Sequence, residues 1–329
     1  MTDLRTDDFD FQLPDELIAS RPAEQRDASR MLVINRAEQS ITHAHFADLP
    51  SFLTPQDLLV LNNTRVVRAR YFSDDGKIEL VRVAKETPTL WRCMVRPGKK
   101  MKVGRTVTIG GMTGEVTAID EEGYRLIQWP AVINEERWGQ LALPHYMQRE
   151  AEETDLERYQ TVYAEEEGAI AAPTAGLHFT PEILAQLDHA FLTLHVGVGT
   201  FRPVKADLVK DHEMHAENFM LSAGTAQRIN DAGRVVAVGT TVTRVLEHLG
   251  ATHAKGSLSQ TEGATDIFLY PPYQPKVVDA LITNFHLPKS TLMMLVSCFA
   301  GRDLIMEAYA QAVAERYRFF SYGDCMLIL

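Results

Sequence analysis

Apolar residues recur at two different spacings along this chain, and the change between them marks its organisation. MLVIN (31–35) and LLVLNNTRVV (58–67) are short, nearly continuous runs of branched and aliphatic side chains, which predicts strands, the second bounded by an Asn-Asn turn. LPDELIASRP (13–22) has helical spacing closed by Pro22. From about residue 66 to 150, the β-forming runs KIELVRVA, LWRCMVRP, RTVTIGG, GEVTAID and YRLIQW alternate with Gly, Pro and charged turns, which predicts a small β-barrel or sandwich. Beyond about residue 159, helical and strand patterns alternate through PEILAQLDHAF, LTLHVG, AGTAQRINDAG, RVVAVG, TRVLEHLG and DALITNF, as in a sheet covered by helices. HAKGSLSQTEGATD (253–266) is polar and Gly/Ser-rich and reads as an exposed loop.

The N-terminal strand pair has no core of its own and is placed in the same sheet. The expected fold is therefore α/β: a mixed-sheet α/β domain made of residues 1–64 and 148–329, with a small β-barrel domain inserted at 65–147. A length of 329 residues suits two such units. Hydrophobic residues at 45% and charged residues at 23% are ordinary for a globular protein, and no apolar run is long enough to span a bilayer. The acidic start, MTDLRTDDFDFQLP, lacks the apolar core of a signal peptide. Cys93, Cys298 and Cys325 are far apart and outside any CxxC pair, which argues against a disulfide framework or thiolate zinc site and for a reducing cytoplasm.

Net charge is −11, which by itself argues against a nucleic-acid partner, but the charge is unevenly spread. Between Arg65 and Arg105 twelve basic residues face four acidic ones, and Arg65, Arg68, Arg70, Arg96, Lys99, Lys100 and Lys102 become candidate contacts to a polyanion. Between Tyr146 and Ile170 the sign reverses. Two solvated faces of opposite sign would also account for this pattern.

In α/β domains ligands sit beyond the C-terminal ends of strands, and the unusual residues of this chain cluster at such junctions. PTAGLHFT (173–180) puts His178 beside Phe179 just before a helix. LHVGVGTFRPV (194–204) ends a strand with Thr200, Phe201 and Arg202. VVAVGTTVTRVLE (235–247) places Thr240, Thr241 and Arg244 where a helix N-terminus favours an anion or a sugar hydroxyl, although capping alone would explain the threonines. TNFHLPKSTLMMLVSCFAG (283–301) sets Asn284, His286, Lys289, Ser290 and Thr291 before an apolar helix. HEMHAENF (212–219) offers His212, His215 and Glu217 as acid/base groups, or as metal ligands that lack the HExxH spacing. YRFFSYGDCMLIL (317–329) places Arg318, Tyr322 and Asp324 among aromatics before a last strand.

These segments, together with LPDELIASRPAEQRDASRMLVINR and DLLVLNNTRVVRAR, resemble the signature segments of the S-adenosylmethionine:tRNA ribosyltransferase-isomerases of queuosine biosynthesis. The resemblance runs from about Phe9 to the last residue and is weakest across the β-insertion. Pro272-Tyr273-Gln274-Pro275 departs from the family, which often has a Gly and a Phe there. The resemblance implies transfer and isomerisation of the ribosyl part of S-adenosylmethionine onto the 7-aminomethyl group of preQ1 in the tRNA wobble position. Epoxyqueuosine-tRNA forms, and adenine and methionine leave. It also implies a monomeric cytoplasmic enzyme with a catalytic α/β domain and an inserted barrel. Its partners are S-adenosylmethionine as co-substrate and the anticodon stem-loop of preQ1-containing tRNA, with no bound cofactor and no metal.

Such chemistry needs a base near the carbon next to the sulfonium, an acid for departing adenine and donors for the ribose hydroxyls. On the resemblance, His178 or the His212/His215 pair, with Glu217 nearby, supplies acid/base function, and Phe179 and Phe201 line the adenine or sulfonium pocket. Thr200, Thr240 and Thr241 hold ribose hydroxyls, and Lys289 with Arg202 or Arg244 holds the methionine carboxylate or a tRNA phosphate. Two other classes stay open from the residues alone: a metal-assisted hydrolase or lyase built on His212, His215 and Glu217, and a non-catalytic RNA-binding protein.

Overall fold

The computed structural model describes residues 3–197 and 206–329. Among them, the strands are β1 (Arg30–Asn35), β2 (Ser40–His45), β3 (Asp57–Asn62), β4 (Thr64–Val66), β5 (Arg70–Phe72), β6 (Glu79–Thr87), β7 (Leu90–Arg96), β8 (Thr106–Ile109) and β9 (Met112–Ile119). They continue with β10 (Arg125–Gln128), β11 (Glu166–Ala169), β12 (His189–Leu194), β13 (Glu217–Leu221), β14 (Arg234–Val238), β15 (Thr261–Thr265), β16 (Ala280–Asn284) and β17 (Cys325–Ile328). The helices are α1 (Glu135–Trp138), α2 (Asp155–Arg158), α3 (Pro181–Leu184), α4 (Ala223–Asp231), α5 (Thr240–Thr252), α6 (Thr291–Ala300) and α7 (Arg302–Ala314).

The described residues form a nine-stranded mixed sheet in the order β15-β13-β12-β3-β14-β16-β17-β1-β2. Strands β12, β3, β14 and β16 are parallel, and β17 and β1 run the other way. The apolar runs of these strands are continuous because both faces are covered. Leu58, Val60, Val235, Ala237 and Leu281 pack with α4 to α7 on one face. Leu59, Leu61, Val236, Val238 and Ile282 pack with Phe46, Phe179 and Ile183 on the other.

Three expectations fail locally. Residues 13–22 form only a 3-10 turn at Asp15–Leu17, because the C-terminal segment captures their backbone: Phe319 N–H donates to Leu17 O, and Ala19 N–H to Phe319 O. The helix after PTAGLHFT stops at Leu184, and His189–Leu194 is already strand. Part of the polar stretch 253–266 is the edge strand β15, which pairs with β13. The unusual Tyr273 has a clear place: its hydroxyl donates to Glu247 on α5, whose fully buried carboxylate also accepts the N–H groups of Lys276, Val277 and Val278.

Strands β5-β6-β7-β10-β9-β8 form a second, antiparallel and nearly closed barrel-like sheet with its own core around Tyr71, Trp91 and Trp129. Asp74 draws its open edges together: its N–H donates to Thr108 O, and its carboxylate accepts Gly110 N–H at 2.6 Å and Gly111 N–H at 2.9 Å. Strand β4, entering this unit, pairs in parallel with β11 beyond it. A cluster containing Val66, Leu143, Met147, Tyr159, Leu177 and Tyr322 fills the space where the two sheets meet.

Glu247→Ala leaves three N–H groups without an acceptor, two of them buried, and should lower the unfolding free energy by about 3 kcal/mol. Urea denaturation checks this, with Tyr273→Phe costing only about 1 kcal/mol.

Candidate active site

The polar residues of the nine-stranded sheet gather at one edge, where β3, β12, β14 and β16 end and β17 and β1 begin. Asn62, at the end of β3, donates to Leu194 O and accepts from the N–H groups of Leu194 and Thr64. Asn63 accepts the Thr193 hydroxyl at 2.7 Å. At the end of β14, Gly239 begins α5 with φ +93°, against Ala175 of the PTAGLHFT segment, which puts Thr240 and Thr241 on the first helical turn. At the end of β16, buried Asn284 donates to the carbonyls of Phe320 and Ser321.

His178 stands in the wall of a cleft lined by Pro22, Arg26, Ser29, Arg158, Ser321 and Tyr322. Its Nδ1 meets Ser29 Oγ at 3.0 Å, its Nε2 donates to Asn284 Oδ1 at 3.2 Å, and its ring stacks on Phe46. Burial lowers its pKa to about 4, so the ring is neutral near pH 7. With both nitrogens engaged, His178 is built to join β1, β16 and the C-terminal loop, which suits positioning better than proton transfer. Gly176 is there for space, since a Cβ would lie 2.1 Å from the Tyr163 hydroxyl. Phe179 is fully buried against Phe46 and Tyr163, and so is core rather than pocket lining.

The cleft also holds cations that the sequence did not mark. Arg26 donates to Leu177 O and Glu157 O, and Arg158 to Ala23 O and Glu24 O. Neither meets a carboxylate among the described residues, and burial, then the neighbouring Arg158, pushes the Arg26 pKa below its ordinary value. On the cleft wall, the Tyr322 hydroxyl donates to Asp155, which Arg149 grips with two bonds, and Tyr146 reaches Ser321. ASRPAEQRDASR carried the signal for Arg26 and Ser29, but isolated arginines there look like surface.

Other candidates are already occupied. Arg244 forms a buried pair with Glu217 at 2.5 Å and donates to Thr265 O and Ile267 O, so its charge is not free for a ligand carboxylate. Glu217 also accepts Gly197 N–H. His212 meets the Phe268 ring edge-on and His215 is exposed, so the three do not form a ligand set; their segment runs from a 3-10 turn at Val209–Asp211 into β13. Lys289 is neutralised by Asp7 and Asp10, while Ser290 caps α6 through Met293 N–H and Thr291 opens that helix. His286 is buried against the Thr283 hydroxyl, its N–H donates to the Tyr309 hydroxyl, and burial lowers its pKa to about 3. Asp324 accepts the N–H groups of Arg30 and Arg318, and Arg318 also donates to Arg21 O; both clamp backbone. Thr200, Phe201 and Arg202 lie outside the described residues.

In the basic segment, Arg70 pairs with Glu79 and donates to Leu143 O, Arg68 donates to Gly139 O, and Arg65 donates to Ala164 O. These three serve the protein's own structure. Arg96, Lys99, Lys100, Lys102 and Arg105 are exposed and have no carboxylate partner among the described residues. They form the free cationic part of the basic segment.

A mixed α/β sheet with a polar crevice at its strand ends, beside a nearly closed antiparallel sheet bearing free cations, has the build of an enzyme. The chain belongs to the family described as queuosine biosynthesis protein, whose model matches residues 6–328. It is 47% identical to the S-adenosylmethionine:tRNA ribosyltransferase-isomerase of Natranaerobius thermophilus over 99% of both chains. It is 45% identical to the enzyme of that name from Desulfitobacterium hafniense, over 99% of this chain and 100% of that one. The solved structure of the S-adenosylmethionine tRNA ribosyltransferase from Thermotoga maritima is 36% identical, with a TM-score of 0.57 covering 98% of this chain and 100% of that one.

Because burial holds His178 and His286 well below the ordinary 6.5, the unfolded chain takes up protons before the folded one does as pH falls. Their effect on stability is therefore absent above about pH 6.5 and grows as a loss down to about pH 4 and pH 3 respectively. Denaturant unfolding of His178→Gln should show a shallower loss of stability between pH 6.5 and 4 than the parent chain.

Proposed function

We propose that this chain transfers the ribosyl part of S-adenosylmethionine to the 7-aminomethyl group of preQ1 at the tRNA wobble position and isomerises it. The products are epoxyqueuosine-tRNA, adenine and methionine. The observation that carries this reading is full-length identity of 45–47% to relatives named for that activity. We read the chain as a monomeric cytoplasmic enzyme with a catalytic domain of residues 1–64 and 148–329 and a barrel domain inserted at 65–147.

The site residues support a division of labour. Arg26 and Arg158, held by carbonyls rather than carboxylates, suit the methionine carboxylate or a tRNA phosphate better than Lys289 or Arg244 do. Thr240 and Thr241, at the N-terminus of a thirteen-residue helix, suit the ribose hydroxyls. Arg96, Lys99, Lys100, Lys102 and Arg105 suit the phosphates of the anticodon stem-loop. A metal-assisted hydrolase gains no support, because its key carboxylate, Glu217, is spent on Arg244.

The purified chain should release adenine from S-adenosylmethionine only when preQ1-tRNA is present; adenine release that ignores the tRNA, or none at all, refutes the reading. Reversing Lys99, Lys100 and Lys102 to Glu should lower the slope of log affinity for tRNA against log salt by roughly two to three. An unchanged slope removes the cluster from the interface.

A further inference from the structure

We propose that His195, at the end of β12, is the general base of this site and accepts the proton from the ribose carbon bonded to the sulfonium. This rests on the function proposed above and names a residue for it. Three features of the surroundings build the group. Its N–H donates to Asn218 O on β13, which fixes its backbone. Its ring lies on Gly168 of β11, where an added Cβ would come within 2.8 Å of it. Its Nδ1 lies 2.8 Å from the Thr64 hydroxyl, which also lies 3.4 Å from Glu166 O.

That last contact admits the tautomer that a base needs. A hydroxyl has one proton, and a carbonyl can only accept. With the Thr64 proton directed to Glu166 O, His195 Nδ1 must be the donor to Thr64, which leaves the lone pair on Nε2. Among the described residues no group bonds Nε2. His178 and His286 offer no comparable atom, since the first has both nitrogens bonded and the second is sealed in the core.

The position also suits the ligand. Three strand spacings, or about 14 Å, separate the end of β12 from the end of β16 beside the His178 cleft. The start of α5 lies between them. A nucleoside joined to an amino acid is an extended molecule, and laid along this edge with its ribose near His195 it extends toward the start of α5. In the step itself Nε2 takes the proton, the C–H electron pair stays on carbon beside the positive sulfur, and the imidazolium keeps the proton for return.

The charged groups on the surrounding elements are Glu166 and Glu167 on β11, Arg65 on β4, and Glu217 on β13, which is paired to Arg244. Burial lowers the His195 pKa, and Glu166 opposes this. A base must be unprotonated, so activity should fall on the acid side with an inflection below 6.5.

The experiment measures adenine release from S-adenosylmethionine with preQ1-tRNA across pH. His195→Asn, which can still donate to Thr64, should lose roughly a hundredfold or more and lose the acid limb, with added imidazole restoring part of the rate. Glu166→Gln should move the inflection to lower pH. A His195→Asn enzyme with a near-normal rate, or with the same acid limb, overturns the proposal. If that variant does not fold, a Glu166→Gln inflection that stays in place overturns it instead. A parent chain that releases no adenine would count against the proposed function and not against this assignment alone.

Discussion

Burial of both faces of the parallel strands is the constraint on which the rest of this structure depends. Leu58 to Leu61 alternate between two cores, and so do Val235 to Val238. Polar chemistry has no place on such a surface except at the strand ends, where the backbone turns away from its neighbours. The side chains that cap those ends therefore have two duties. They satisfy the backbone groups left over by the sheet, and they form the wall that a ligand meets.

Separating the two duties is a matter of counting partners. Asn62, Asn284, Asp324 and Glu247 spend most of their hydrogen-bonding capacity on backbone groups and the rest on the protein's own side chains, and Glu217 and Arg244 spend their charges on each other. A buried charge is tolerated only when compensated, so such groups cannot also recruit a ligand without losing what holds them. Arg26 and Arg158 differ, because their terminal guanidinium N–H groups meet carbonyl oxygens, which leave the positive charge uncancelled, and Arg158 Nε meets no acceptor among the described residues. The exposed cations from Arg96 to Arg105 differ in the same way, being screened by water rather than by carboxylates.

Much of the fold was legible in the sequence because most strands carry their own signal. The runs that became β1, β3, β6 to β10, β14 and β16 were visible as apolar or alternating segments, and the change of texture near residue 66 located the second sheet. The turn at 15–17 and the short α3 were not legible, since partners more than a hundred residues away decide whether those backbones stay helical. In the site, the junctions were found but not the roles. Arg244 and Glu217 lie 27 residues apart and neutralise one another only after β13 and α5 have packed. NNTR read as a turn, although Asn62, Asn63 and Thr64 fasten the ends of two strands.

The two sheets meet through side chains that touch both the cations and the cleft. After burial, Arg96 and Arg70 are the charges that press the His145 pKa down, so the free cation cluster begins beside the 3-10 turn at His145–Met147. The next residue, Tyr146, places its hydroxyl on Ser321 and its ring edge-on to Phe320, within the loop that Asn284 and His178 hold. On the proposed reading, a polyanion neutralising the cluster around Arg96 would relieve part of the positive field on this turn, one residue from the wall of the cleft. Electrostatic contact on the barrel-like sheet and chemistry at the strand ends would then share one short path. Separate surfaces, each with its own polar groups turned to water, would have needed neither the half-buried Tyr146–Ser321 contact nor the Tyr322–Asp155–Arg149 network that stiffens the same wall.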